Sequence, residues 1–315
     1  MKLLKIILAI LLCALQTLIL HKPVQPPVDP PTVTTTTPQT EPTTEPTTEP
    51  STEPTTEPPT EPPTDPFLDR FVLTWSDEFD DEALDRTKWN GHYFNFNGPA
   101  YQRRAGYWHV NMARVGDGVL RIPSVYYESG FGGGPAGYYS LGMDSRNSFE
   151  QKFGYFEVRC ILPKGEGLWS SFWLMCQGVA NVDGSGRDGT EIDIYESPYY
   201  YTANKNRVLV GGLNYDGYGA DNRNSHVGIH PVDDPYDTFH TYSMEWNENE
   251  YIFYIDRQIK GRSTFGGVSQ VPQWVILSVE HAFGGTWAGD IRNNIINGVE
   301  MTDFVVDYVR VYQYK

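Results

Sequence analysis

Cysteine is scarce in this sequence, and the short motifs of several large enzyme classes are absent from it. The 315 residues contain three cysteines, of which Cys160 and Cys176 lie beyond the N-terminal segment. Both lie in apolar stretches, so one disulfide and two free buried thiols are equally compatible with the sequence. There is no P-loop and no H-E-x-x-H pattern, and the seven histidines have no ligand spacing. These absences exclude the usual signatures of P-loop nucleotide enzymes and of zinc proteases.

Positive charge is also low. The chain has 24 Lys and Arg against 40 Asp and Glu, a net charge of −16, and residues 1–66 carry −5 of it, leaving −11 for the remainder. A surface of this sign repels phosphate and sulfate groups. The charge therefore excludes nucleic acid as a partner and disfavours a sulfated polysaccharide.

The first 66 residues are predicted to lie outside the folded domain. Residues 1–20 join two lysines to an apolar run, which is typical of a secretion signal; no clean A-x-A site precedes His21, so an uncleaved anchor that tethers the protein to the cell surface is the alternative. Residues 21–66 repeat TEPT and contain only three valines as apolar aliphatic side chains. Such a segment cannot form a core, so we expect a disordered linker. The catalytic domain is then expected at 67–315, with no contact to membrane.

The remaining 249 residues read as an all-β domain. Short alternating runs occur at 118–122, 153–162, 168–175, 207–213, 240–246, 251–255, 274–280 and 304–314, with turn residues between them and no long helical pattern. This pattern predicts a β-sandwich or jelly roll.

Beyond Asp188, the stretch DGTEIDIYESP at 188–198 holds three acids, Glu191, Asp193 and Glu196, among apolar residues. On a regular strand Glu191 and Asp193 share a face and Glu196 points away. One extra residue before Glu196, a β-bulge, would return it to that face, and two glutamates leaning together could bring their carboxyl groups to roughly 5–6 Å, near the ~5–5.5 Å used by retaining glycosidases. The competing interpretation is an edge strand with solvated acids.

Aromatic residues recur near the predicted strand ends, and such rings stack on sugar rings in polysaccharide clefts. Trp169 and Trp173 lie four apart on the strand before the acids, so we expect both in a cleft. The other candidate substrate-binding residues are Trp108, Tyr195 and Trp287. The alternative for each single ring is a place in the core.

These motifs together resemble glycoside hydrolase family 16. The match is carried by KFGYFEVR at 152–159, LPKGEGLW at 162–169, FW at 172–173 and EIDIYE at 191–196, with WSDEFD at 75–80 and VDYVRVY at 306–312. The resemblance implies a concanavalin-like β-jelly roll of two antiparallel sheets, with a concave substrate cleft and retaining endo-hydrolysis of β-glycans. It makes Glu191 the nucleophile, Glu196 the acid/base and Asp193 the residue that orients the nucleophile. The bulged E-x-D-x-x-E form resembles the laminarinase-like branch.

The same resemblance implies no cofactor for catalysis. It suggests a structural calcium on the convex side, where Glu78, Gly118 and Asp307 occupy matching places and oxygen ligands would suit the ion. The sequence departs from the laminarinase pattern at Ser170-Ser171 and at Tyr195, which leaves the linkage preference open.

The leading hypothesis is a secreted, monomeric endo-β-glucanase whose partner is β-1,3- or mixed β-1,3/1,4-glucan. One alternative is a hydrolase of an agar- or carrageenan-type galactan, for which Arg103 and Arg104 could form a local basic patch. The other is a carbohydrate-binding sandwich without catalysis. The complete set of three acids argues against that reading.

Overall fold

The computed structural model describes residues 65–90, 100–198, 200 and 205–315. The predicted signal, and the predicted linker up to residue 64, lie outside this part of the chain. No helix within the described residues is long and apolar enough to cross a membrane.

The described residues form 18 β-strands, one short α-helix and four 3₁₀ helices. The strands are β1 (Phe71–Asp77), β2 (Tyr101–Arg103), β3 (Gly106–Trp108), β4 (Arg114–Gly116), β5 (Val119–Ile122), β6 (Val125–Tyr127), β7 (Gly137–Ser140), β8 (Gly142–Asp144), β9 (Gly154–Ile161), β10 (Leu168–Met175), β11 (Glu191–Glu196), β12 (Arg207–Tyr215), β13 (Arg223–Pro231), β14 (His240–Trp246), β15 (Tyr251–Ile255), β16 (Gln258–Ser263), β17 (Trp274–His281) and β18 (Phe304–Tyr314). The helix α1 is Arg292–Asn297, and the 3₁₀ helices are Leu68–Arg70, Val110–Met112, Gln177–Ala180 and Phe265–Gly267.

Two antiparallel sheets make up most of the domain. The larger has the order β16-β15-β14-β9-β18-β5-β4, with β1 also paired to β18, and the smaller has the order β13-β12-β11-β10-β17-β8. Their inner faces share one large apolar core that includes Phe156, Phe172, Tyr242 and Leu277, all fully buried. The predicted sandwich of two antiparallel sheets is confirmed. A third sheet, β2-β3-β7-β6, was not predicted; it meets β17 through a bridge between Arg104 and His281.

The two cysteines are free, and both are buried. The Cys160 sulfur lies 3.7 Å from the Tyr195 hydroxyl in the sandwich core. Of the two alternatives left by the sequence, the structure therefore has the free thiols.

The strand β11 carries the predicted bulge. Tyr195 pairs with Phe172 on β10, whereas Asp193 pairs with the next residue, Trp173. Ile194 is therefore the extra residue. From there on, the alternation of faces is reversed, so Glu196 points to the same side as Glu191 and Asp193.

The neighbouring strand accommodates this bulge with a glycine. Gly211 of β12 lies between the partners of Asp193 and Tyr195, and its φ is +68°. A Cβ at this position would lie 2.7 Å from a Val227 methyl carbon. Both the conformation and the lack of space require glycine, so Gly211 helps to fix the register of the acidic strand.

Candidate active site

Three neighbouring strands direct polar and aromatic side chains into one cleft on the outer face of the six-stranded sheet. The three strands are β11, β10 and β17, which are neighbours in this sheet. On the last two, Trp169 pairs with Glu280 and Ser171 pairs with Ser278, so these side chains lie next to each other. The cavity over these strands has a volume of about 530 Å³. It is lined by Arg103, Arg104, Trp169, Glu191, Asp193, Glu196, Asn214, Tyr218 and Trp287. The structure thus brings the three predicted catalytic acids together in one site.

Glu196 has the environment of a general acid. The indole nitrogen of Trp169 donates a hydrogen bond of 2.8 Å to its carboxyl group. Burial and the neighbouring charge of Glu191 raise the pKa of Glu196 to about 7, although the Trp169 hydrogen bond and the Arg104 charge oppose that rise. A carboxyl group with this pKa holds a proton near neutral pH and can give it to a leaving oxygen.

Glu191, in contrast to Glu196, is surrounded by several hydrogen-bond donors. The Tyr218 hydroxyl and the Asn214 amide, at 3.1 Å, both donate to its carboxyl group. Burial raises the pKa of Glu191 above its usual value, and these hydrogen bonds and the charges of Arg103 and Arg104 offset part of that rise. Hydrogen bonds to a carboxylate favour the charged form, which is the form that a nucleophile needs.

Asp193 lies between the two glutamates on the strand. Burial, and then the charges of Glu196 and Glu191, raise its pKa well above the usual range. The Asn214 amide makes a long contact of 3.5 Å to it. A neutral Asp193 reduces the repulsion between three neighbouring acids, which suits a residue that tunes the nucleophile.

Two of the predicted substrate-binding tryptophans form one wall of the cleft. The rings of Trp169 and Trp287 meet edge to face, with centroids 4.8 Å apart and an angle of 87°. Trp173 lies deeper. It is 4% exposed, its indole donates to Ser278, and its ring packs in an apolar cluster with Trp108, so it belongs to the cleft floor.

Two other aromatic predictions are wrong. Tyr195 is fully buried in the core between the sheets, where its ring lies 4.3 Å from that of Tyr242, because the bulge at Ile194 puts Glu196 on the cleft face and its neighbour Tyr195 on the opposite one. Trp108 is 1% exposed and donates to the Val279 carbonyl. Neither ring can stack on a substrate.

The cleft also holds two arginines tied to one buried acid. Arg103 and Arg104 both pair with Glu280, which is 5% exposed. The Arg104 guanidinium lies 4.1 Å from the centroid of the Trp169 ring. Cation–π contact of this kind fixes the ring that contacts Glu196.

Sequence reasoning missed Asn214, Tyr218 and Glu280. Asn214 is the β12 partner of Glu191, so pairing β12 with the acidic strand would have found it. Tyr218 follows β12 in a loop, and no pattern in the sequence marks it.

The two carboxylates predicted to bind calcium already have cationic partners. The Glu78 carboxylate receives two hydrogen bonds from Arg310, and Asp307 pairs with Arg159. Gly118 forms a hairpin turn with Asp117 between β4 and β5, where both residues have positive φ. Among the described residues no group of three His, Cys, Asp or Glu side chains could hold a metal. The side chains present therefore do not fit calcium, because both carboxylates already have cationic partners.

Two acids of unlike environment on one strand of an antiparallel sandwich define a glycoside hydrolase of jelly-roll type. The chain belongs to glycoside hydrolase family 16: the family model described as "Beta-porphyranase A-D, GH16 domain" matches residues 71–314. The resemblance found from the sequence, including its laminarinase-like form, is confirmed.

Relatives agree with this assignment. A β-glucanase from Rhodothermus marinus is 29% identical over 264 residues, which cover 77% of this chain and 85% of that protein. The endo-1,3-1,4-β-glycanase ExsH from Rhizobium meliloti is 29% identical over 225 residues, covering 71% of this chain but 43% of that longer protein. Among solved structures, the laminarinase catalytic domain from Thermotoga maritima superposes with a TM-score of 0.59 at 27% identity, covering 78% of this chain and all of that one.

Proposed function

We propose that this chain is a retaining endo-β-glucanase that hydrolyses β-1,3- or mixed-linkage β-1,3/1,4-glucan. The observation that carries the proposal is the placement of Glu191, Asp193 and Glu196 in one cavity with Trp169 and Trp287. The R. marinus β-glucanase and the T. maritima laminarinase support the substrate class, since both names denote enzymes of β-glucans.

The first step follows from the two unlike carboxyl groups. Glu191, as the carboxylate, attacks the anomeric carbon while Glu196 gives its proton to the glycosidic oxygen. The bond to the leaving sugar breaks with its electron pair on that oxygen, and a glycosyl ester to Glu191 remains.

In the second step the two groups exchange tasks. Glu196, now ionised, takes a proton from water, whose oxygen attacks the anomeric carbon and releases Glu191. Two inversions leave the product in the β configuration. Asp193 and Asn214 keep the Glu191 carboxylate oriented through both steps.

Porphyran hydrolysis is a second candidate, because the matching family model describes β-porphyranases. The cleft charge does not favour an anionic polymer. Its two guanidinium groups face the carboxyl groups of Glu280 and the three catalytic acids, so they offer little free positive charge.

Export is proposed on the apolar run within residues 1–20. N-terminal sequencing of the exported protein would distinguish a cleaved signal from a retained anchor. The monomeric state stays a prediction, which light scattering of the purified protein would measure.

A substrate panel tests the proposed function. Laminarin, lichenan, xyloglucan, agarose, carrageenan and porphyran are each incubated with the protein, and new reducing ends are measured. We expect cleavage of laminarin or lichenan. Cleavage of porphyran alone would replace the glucan proposal by the second candidate, and cleavage of none would favour the binding sandwich.

Proton NMR of the first product tests the mechanism separately. We expect the β-anomer first, and we expect azide to restore turnover of the Glu191→Ala variant with an α-glycosyl azide as product. The α-anomer appearing first would overturn double displacement whatever the substrate.

A further inference from the structure

A second cavity of about 730 Å³ lies beside the catalytic cleft. One side of it is formed by the small β2-β3-β7-β6 sheet and the other by the loop that follows β17. Among its lining residues are Arg104, Tyr107, Tyr126, Phe283, Thr286 and Arg292. Its volume is within the ~300–1,000 Å³ typical of binding sites for small molecules, and the mechanism above uses none of its aromatic residues.

The second cavity adjoins the catalytic one. Arg104 lines both cavities. The loop after β17 also contributes to both, because Phe283 and Thr286 line the second cavity while Trp287 lines the first. A polymer held in the cleft therefore has a neighbouring surface to occupy.

Aromatic rings are presented at this surface. Tyr126 is 51% exposed and Phe283 is 40% exposed, although large apolar side chains are mostly buried in this domain. Tyr126 is supported from beneath by Tyr138, with ring centroids 4.9 Å apart. Exposed rings lining a concave surface are typical of binding sites.

The Phe283 loop is fixed by its own contacts. The Arg292 guanidinium lies 4.6 Å from the centroid of the Phe283 ring and pairs with Asp290. Asp290 also accepts a hydrogen bond of 3.0 Å from the Gly284 amide, and its own amide donates to Glu166. The ring is thus held in place without a ligand, and the charge of Arg292 is balanced, so the surface suits an uncharged ligand.

We propose that Tyr126 and Phe283 form a distal platform that binds further uncharged sugar units of the same polysaccharide that is cleaved between Glu191 and Glu196. The proposal rests on the proposed function and deepens it. An enzyme with such a platform binds long chains more tightly than short ones, because only a long chain reaches from the acids across Arg104 to Phe283.

The test compares two substrates on the full chain. The kcat/KM values for laminarin and for a short laminari-oligosaccharide are measured for the wild type and for Phe283→Ala, Tyr126→Ala and Arg292→Gln. We expect each variant to lower the ratio of the polymer value to the oligosaccharide value, mainly through KM, by about threefold to tenfold. Ile259→Ala is the matched control, since Ile259 is 53% exposed on β16 of the other sheet; its ratio should stay at the wild-type value.

The outcomes separate the two proposals. A wild type that cleaves no glucan overturns the proposed function, and this inference with it. An active wild type whose ratio does not change in any of the three variants overturns the platform alone. Thermal melting is recorded for each variant, and because three different side chains are changed, a single unstable variant leaves the other two to decide.

Discussion

Buried carboxyl groups occur on both sides of this sandwich, and they differ in how completely they are hydrogen-bonded. On the eight-stranded sheet, Glu157 is fully buried and accepts hydrogen bonds from Tyr155 at 2.8 Å, from Tyr308 at 2.9 Å and from Arg257 at 2.8 Å. Tyr155 and Tyr308 lie on strands of this sheet, and Arg257 lies in the turn between β15 and β16. An acid with this many partners has a structural role.

Glu245 on the same sheet repeats the pattern. It accepts two hydrogen bonds from Arg70 and one each from Tyr254 and Tyr314. These contacts tie the segment before β1 to the sheet. The eight-stranded sheet therefore uses its buried acids to join elements together.

The acids of the cleft are bonded more sparsely. Within the described residues, Trp169 is the hydrogen-bond donor that contacts Glu196, and Asp193 receives only the long contact from Asn214. Carboxylate oxygens can each accept two hydrogen bonds, so acceptor capacity remains for a substrate. Burial alone therefore does not identify a catalytic acid; in the cleft, burial is combined with acceptor capacity left for a substrate.

The largest expected effect is on activity. Glu191→Ala should lower kcat by roughly 10⁴-fold or more, as removal of a nucleophile does, and Glu196→Ala by about 10²–10⁴-fold on substrates with poor leaving groups. Both variants should melt within a few degrees of the wild type, because neither loses a saturated hydrogen-bond network. A melting temperature that collapses would mean that the cleft acids are structural after all.

The opposite result is expected on the eight-stranded sheet. Glu157→Ala leaves the Arg257 charge without its buried partner, so we expect a loss of about 3–5 kcal/mol in the free energy of unfolding. Urea denaturation measures it. Glu248→Ala, which changes an exposed acid, serves as the matched control and should shift stability by less than about 0.5 kcal/mol. Activity per folded molecule should be retained in both variants.

How far the sequence predicts this site depends on the range of the interaction. The strands and the sandwich follow from alternation along the chain, and the bulge before Glu196 follows from the spacing of the acids in E-x-D-x-x-E; both signals are local. The burial of Tyr195 follows from the same bulge. When the bulge turns Glu196 toward the cleft, the adjacent Tyr195 must point to the core. The pairing of Glu280 with Arg103 and Arg104 joins residues about 177 positions apart, and no local pattern encodes such a contact.

Trp173 provides the next comparison, now within the cleft. Because it is almost fully buried beside Trp108, Trp173→Ala should cost about 3–5 kcal/mol of stability. Trp287 is only partly buried, so Trp287→Ala should mainly raise KM and leave most of the stability. Urea denaturation and Michaelis–Menten kinetics on both variants distinguish the buried role of Trp173 from the substrate-contacting role of Trp287. Equal losses of stability would show that both rings belong to the core.

A smaller effect is expected in the pH profile. With the pKa of Glu196 raised to about 7, kcat/KM should fall as pH rises through that value, because the general acid loses its proton. The Arg104 charge lowers the pKa of Glu196, so Arg104→Gln should raise it and move the alkaline limb to higher pH. Arg187→Gln, which changes an exposed arginine, is the control. An alkaline limb that stays in place, or moves to lower pH, would show that the Arg104 charge does not lower the pKa of Glu196.

The smallest effect is expected from calcium, on the side away from the cleft. Glu78 and Asp307 are already paired with Arg310 and Arg159, and exposed ion pairs of this kind contribute about 0–1 kcal/mol each. A calcium ion at these side chains would have to displace both guanidinium groups, so chelation with EGTA should change the melting temperature by less than about 2 °C, less than a 1 kcal/mol change would produce in a domain of this size. Addition of 5 mM calcium to the chelated protein should likewise leave it unchanged. A calcium-dependent rise of several degrees would instead place an ion here, held by backbone carbonyl groups, and Glu78→Ala would then show whether a carboxylate takes part.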